Sequence, residues 1–363
     1  MSMQRSALHQ TLSESGAKFH QQQGWDLPQC FASASEEYQT AVTGAAVHDM
    51  SYAGRLRATG ADTLDLINRL STNKVDELQP GHGAPTILTT DQGRIFDLIY
   101  VVNTGDHVLL ITSPETQQPI IDWLDKYTIM DDIEVEDVTE TTTMLVLLGP
   151  GADDALAQAA GQDSGLAQQL PAYGYAAIEI GGVTAQVIRQ SLGDVPAFTL
   201  VLAPQDAPAA WRGLMDSGVS PIGTEAYDAV RVAHGVPTYG HEMGQAFNPL
   251  EAGLIGSIDF AKGCYIGQEV IARLDTYQKV QKHLVTLKFG PEAQVDLGTS
   301  LVQEGKVVGM VTSLSAISGG DQLVGLGYVR KANASQGSRL DLEAPAQGWA
   351  EISGFSQIFG PGE

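Results

Sequence analysis

Cysteine is nearly missing from this chain: Cys30 and Cys264 are the two copies in 363 residues. Two thiols so far apart argue against a disulfide framework and fit a reducing compartment. They cannot fill an all-cysteine zinc site, and neither has the close-spaced neighbour of a zinc finger. Basic residues are scarce too. Lys and Arg total 20 against 43 Asp and Glu, for a formal charge of −23. A field of that sign repels nucleic acid and acidic membranes at long range, so no nucleic-acid-wrapping surface is expected. Long apolar runs are also lacking. The strand-like "TMLVLLG" is far too short to span a bilayer, and "MSMQRSALHQTLSESGAKFH" has no signal-peptide core. The expectation is a soluble cytoplasmic protein with no membrane contact.

What the chain does have is enough apolar residue, 43%, to build cores, and a length that favours two or three packed units. The first 50 residues read as a helix, a turn around "GWDLP", and a second helix through "SASEEYQTAV". "AAVHDMSYAGRLRATG" alternates like strand, and "ADTLDLINRLS" has amphipathic helical spacing. The segment 83–112 reads as strands separated by the turns Asp91-Gln92-Gly93 and Asn103-Thr104-Gly105. "SPETQQPIIDWLDKYTI" predicts a helix. The strand "TMLVLLG" and a helix from "GPGADDALAQAA" follow, then strands near 174–190 and 197–203, and helices near 205–217 and 223–235. Strands and helices segregate in blocks, which predicts an α+β fold. Beyond about residue 280 the texture changes to short strands with glycine turns, a β-barrel or sandwich. The expected boundary divides residues 1–280 from 281–363.

Several familiar sites are excluded. "GHEMG" lacks the second histidine of a zinc-protease helix, and "LGPGADD" lacks the Gly-Lys-Ser/Thr of a phosphate loop. Four residues carry more weight. Cys264, in "KGCYIGQE", is placed just before a helix beginning at "QEVIARL". There the partial positive charge and Lys262 would favour a thiolate, although a small residue beside a helix cap fits equally well. Asp97, in "DQGRIFDLIYV", shares a strand face with Ile95 and is costly to bury without a partner. It can receive a ligand amine or pair within the fold. Arg231 has Asp228 one helical turn earlier, an ordinary ion pair, or it can hold a carboxylate or polar ring edge bidentately. Tyr239, between Pro237 and Gly240, would present its ring from a turn.

Taken together, "TTDQGRIFDLIYV", "LLGPGA", "DAVRVAHGVPTYGHE", "NPLEAGL", "KGCYIGQEVIAR", "GKVVGMVTS" and "LVGLGYVR" resemble segments of the aminomethyltransferase superfamily, in family order. That superfamily holds the glycine-cleavage T-protein and its YgfZ-type folate-binding relatives. "KGCYIGQE" is similar to the YgfZ-type branch, where T-proteins have Lys-x-Asp-Phe-Ile-Gly. The resemblance implies a three-domain cloverleaf with a C-terminal β-barrel, and tetrahydrofolate or a one-carbon derivative as cofactor. Asp97 would contact the reactive folate amine, with Arg231 and Tyr239 nearby. Asp194, in "SLGDVPAFT", would replace the glutamate that reads the pteridine. Lys262, Arg273 or Arg94 would meet the glutamyl tail. Where T-proteins have Arg-Leu-Glu, this chain has Ala233 in place of the acid.

The function implied is a monomeric tetrahydrofolate-binding protein that supports iron–sulfur cluster assembly or repair. Its partners would be client or assembly proteins, tRNA-thiolating enzymes among them, and Cys264 would be the indispensable thiol. One thiol would not hold a cluster by itself, since a typical cluster takes about four. The alternative is a folate-dependent aminomethyl or one-carbon transferase of the T-protein class, with Asp97 positioning the amine.

Overall fold

A computed structural model describes residues 3–161, 169–318 and 322–356. The chain forms two compact units. The first comprises Met1–Arg69, Lys74–Thr86 and Leu98–Tyr227, and the second Leu70–Asn73, Ile87–Asp97 and Asp228–Glu363. The fold is α+β.

The first unit is built on a six-stranded sheet. Its order is Tyr175–Ile180, Val183–Leu192, Val195–Leu202, Thr143–Leu148, Ala46–Asp49 and Ser220–Pro221. All neighbours are antiparallel except the last pair. Thr143–Leu148 is buried at every position because the pleat feeds two cores. Leu145 and Leu147 pack with Trp211 and Leu214 of the helix Ala207–Asp216 and with Leu156 of Ala152–Ala159. Met144, on the other face, joins Val102, Leu109 and Ile111. Asp153 and Asp154 occupy the first turn of Ala152–Ala159, complementing its dipole. A five-stranded sheet runs in the order His82–Thr89, Ile95–Asn103, Val108–Thr112, Gly54–Thr59 and Glu134–Asp137.

One local expectation is corrected near the N-terminus. The turn expected around "GWDLP" takes only its first residue, and the rest is strand: Lys18–Gln22 and Trp25–Cys30 form an antiparallel hairpin. The turn is Gln23-Gly24, with φ of +50° and +77°, the two positive values that a two-residue hairpin loop requires.

The second unit carries a closed barrel in the order Lys282–Phe289, Gln322–Arg330, Lys306–Ser318, Ser300–Gln303, Arg339–Leu342 and Trp349–Phe355. The last strand pairs back onto the first, which removes both sheet edges. Leu287, Phe289, Leu301, Val311, Val329, Leu340 and Ile352 fill the interior. "GLGYVR" is therefore barrel strand, as its lack of a following helix suggests. Among the described residues, no helix is long and apolar enough to cross a membrane.

Candidate functional site

Asp97 sits on Ile95–Asn103, where alternation places it beside Ile95 on one face; both are fully buried. A carboxylate at 0% exposure is tolerated only where polar groups answer it. One group within its field is the half-buried Tyr239. Burial raises the phenol's pKa first, and the Asp97 charge raises it further. Tyr239 comes from a compact loop that follows the helix Thr224–Ala233. Gly240 N donates to Met243 O and Met243 N to Thr238 O, both at 3.0 Å, which closes the loop on itself. Ile95 N then donates to Phe247 O at 3.0 Å, pinning the loop's end to the start of the Asp97 strand.

Glu242 lies at the centre of that loop, fully buried. It accepts from Thr238 N at 3.1 Å, Ser313 Oγ at 2.6 Å and Arg231 Nη1 at 3.3 Å. Arg231 also donates to Asp228 at 2.5 Å, Val236 O at 3.2 Å and Ser313 Oγ at 2.9 Å. The guanidinium is thus engaged inside the fold. Its observed work is to fix the loop that bears Tyr239. The Asp228 pair follows from helical spacing, whereas the Glu242 pair is not legible in the sequence. Its only signal was a glutamate inside a glycine-flanked "GHEMG".

Lys262 is equally engaged. Its Nζ donates to Ser71 O and Asn73 O at 2.7 Å each and lies 5.3 Å from the centre of the Tyr265 ring. These bonds anchor the segment leading to Cys264. On the far side, Thr89 Oγ1 donates to Ile266 O at 2.5 Å. Gly267 then caps the helix Gln268–Thr276 at φ +82°, with its Cα face close against Thr90 O. Cys264 is exposed on this doubly tethered loop, just ahead of the helix. Glu269 occupies the helix's first turn.

The structure gathers Asp97, Arg231, Tyr239, Lys262 and Cys264 into the second unit. Asp194 belongs to the first, exposed at the tip joining Val183–Leu192 to Val195–Leu202. A further cluster, unread in the sequence, stands beside the Asp97 strand. Phe247 and Tyr328 stack at 4.3 Å, and Lys282 Nζ lies over both rings at 4.4 and 4.7 Å. Burial lowers the Lys282 pKa, Glu251 opposes that shift, and Arg94 adds to it. Glu251 is raised by burial and pulled down by Lys282, Asn248 and Arg94. Chemically, the unit offers a buried carboxylate near a phenol, which suits an amine on an aromatic ligand, and an accessible thiol.

Comparison with known proteins agrees with this architecture. The family model described as GCVT N-terminal domain matches residues 8–262. A chloroplastic protein of Arabidopsis thaliana, a transferase by name, is 31% identical over 92% of this chain and 75% of its own. Proteins named aminomethyltransferase from Picosynechococcus and Geobacillus kaustophilus are each 28% identical over 94% of both chains. The glycine cleavage system aminomethyltransferase T of Bartonella henselae superposes with a TM-score of 0.86 over 99% of both chains at 21% identity, a likeness of fold. The chain belongs to the GCVT-domain aminomethyltransferase superfamily.

Proposed function

We propose that this chain is a tetrahydrofolate-binding one-carbon transferase of the aminomethyl class, with Asp97 and Tyr239 at the folate. The observation that carries the reading is the fully buried Asp97 carboxylate, whose charge reaches a half-buried phenol in the same unit. Relatives named aminomethyltransferase that match 94% of both chains support the reaction class. A buried carboxylate accepts the N–H of an arylamine and stabilises positive charge developing there, unscreened by water. Tyr239 supplies an aromatic wall, and Arg231 with Glu242 holds it in place. Tetrahydrofolate supplies the nucleophilic amine that takes up the one-carbon unit. Catalysis then rests on positioning and electrostatics rather than on a protein nucleophile.

Calorimetry with tetrahydrofolate tests the binding, and folate-dependent ammonia release from an aminomethyl-loaded lipoyl protein tests the transfer. Asp97→Asn should weaken binding more than about tenfold, since a charge-assisted hydrogen bond is lost. Unchanged affinity removes Asp97 from the site. Folate binding without ammonia release at saturation removes the transferase assignment alone.

The exposed thiol favours a second reading, in which the same protein supports iron–sulfur cluster assembly or repair through Cys264. Complementation of an iron–sulfur maintenance mutant by wild type and by Cys264→Ala decides it. Full rescue by the variant rules out an essential thiol.

A further inference from the structure

The barrel strand Gln322–Arg330 contains "GLGYVR", and the Tyr328 within it is 4% exposed. Its hydroxyl donates to Glu242 O at 2.7 Å. Its ring lies nearly parallel to that of Phe247, 10° between planes and 4.3 Å between centres. One side chain therefore holds two segments of the second unit. Glu242 belongs to the loop that bears Tyr239, and its amide donates to Thr238 O at 3.0 Å. Gly240 and Gly244, at φ +86° and +138°, give that loop little stiffness of its own, so its position is set from outside. Phe247 offers its carbonyl to Ile95 N at 3.0 Å, two residues before Asp97. Lys282, from the strand paired with that of Tyr328, covers both rings. Leu284 N, on the same strand as Lys282, donates to Glu251 O at 2.9 Å and fixes the chain beyond Phe247. A phenylalanine would stack on Phe247 as well; the hydroxyl is what reaches the loop.

We propose that Tyr328 is a positioning residue, which from the barrel sets the approach of the Tyr239 ring to the Asp97 carboxylate. One arm runs through its hydroxyl to the loop, the other through its ring and Phe247 to the Asp97 strand. The inference rests on the reading that Asp97 and Tyr239 share the folate site, and it gives the barrel a part in that site. A charge and a phenol feel one another according to their separation, and a shift of about 1 Å at such a site is enough to lose much of its effect.

The test reads the coupling between Asp97 and Tyr239 directly. Tyrosinate absorbance is followed in a stopped-flow alkaline pH jump, and subtracting the Tyr239→Phe trace isolates Tyr239. In wild type, Asp97→Asn should lower the Tyr239 midpoint, because the carboxylate charge disfavours the phenolate. In a Tyr328→Phe background, which keeps the stack and loses the hydroxyl, that shift should shrink by about half. Phe247→Leu, which cuts the other arm, should shrink it too. Calorimetry with tetrahydrofolate adds a second readout. Tyr328→Phe should weaken binding about fivefold, and should cost nothing further once the ring is removed by Tyr239→Leu. A full Asp97 shift in the Tyr328→Phe background, or an equal loss of affinity with and without the Tyr239 ring, overturns the proposal and leaves Tyr328 a barrel residue alone. If the shift shrinks but wild type binds no tetrahydrofolate, the positioning role stands and the folate reading falls. If wild type shows no shift, both fall.

Discussion

Arg231 and Glu242 form a buried ion pair, Nη1 to Oε2 at 3.3 Å, with side-chain exposures of 7% and 0%. The pair joins the end of the helix Thr224–Ala233 to the loop bearing Tyr239, and Ser313 brings a barrel strand into the same network. Removing one partner strands the other charge in a dry interior. Arg231→Met should therefore destabilise the protein by about 3 kcal/mol in urea titration. A midpoint within experimental error of wild type would mean that Glu242 is held by other groups.

Gly267 should tolerate no side chain. At φ +82° it occupies the left-handed region, and a Cβ built there would lie 2.5 Å from Thr90 O, a backbone atom that cannot step aside. Gly267→Ala should cost about 2 kcal/mol through strain alone. Because the residue closes the loop that holds Cys264, the variant should also change the rate at which Cys264 is alkylated in the native protein. A stability equal to wild type would contradict the close contact with Thr90.

The two thiols should differ in reactivity. Cys264 is exposed, whereas the Cys30 thiol is pushed up by burial and by Glu37, with Lys18 opposing. A thiol-specific chromogenic reagent at neutral pH should label Cys264 first and Cys30 slowly, since thiolate and access both govern the rate. Cys264→Ser should abolish the fast phase and shift stability by less than about 0.5 kcal/mol, as an exposed substitution does. Retention of the fast phase in that variant would reverse the assignment.

Acid should act on the first unit through His48. This histidine is fully buried, stacked on Tyr227 at 4.6 Å, with Nδ1 3.2 Å from Ile222 O and Nε2 3.5 Å from Tyr52 Oη. Burial brings its pKa down to about 4, against the opposing pull of the Ile222 carbonyl and the Asp49 charge. The folded value lies below the unfolded one of about 6.5. Its contribution is thus complete above pH 6.5 and is lost as pH falls toward 4, up to about 3 kcal/mol. The urea midpoint of His48→Phe should fall less steeply than that of wild type across this window. Parallel pH profiles would show that His48 does not titrate there.

The barrel was legible because its period-two strands alternate with glycine turns, and each strand carries its own pattern. The hairpin at Lys18–Cys30 was not. Pro28 and the run Gln21-Gln22-Gln23 hide its alternation, and positive φ at Gln23 is unusual for that residue type. Glu134–Asp137 was missed for a related reason. Three of its four residues are acidic, and pairing with Gly54–Thr59 stabilises it as strand where composition does not.

Local sequence by itself determined which residues were unusual: a carboxylate within an apolar strand, a thiol before a helix start, an Asp228–Arg231 pair one turn apart. These follow from backbone period and side-chain chemistry, which act over a few residues. Only tertiary structure decided how the polar heads are spent. Arg231 meets Ser313 across 82 positions, and Lys262 meets the Ser71 carbonyl across 191. Arg94, of the same charge type, stays 41% exposed and comes within 3.9 Å of Glu251. A buried cation must be satisfied by whatever atoms the packing brings near, and a sequence does not reveal those neighbours until the chain has folded around them.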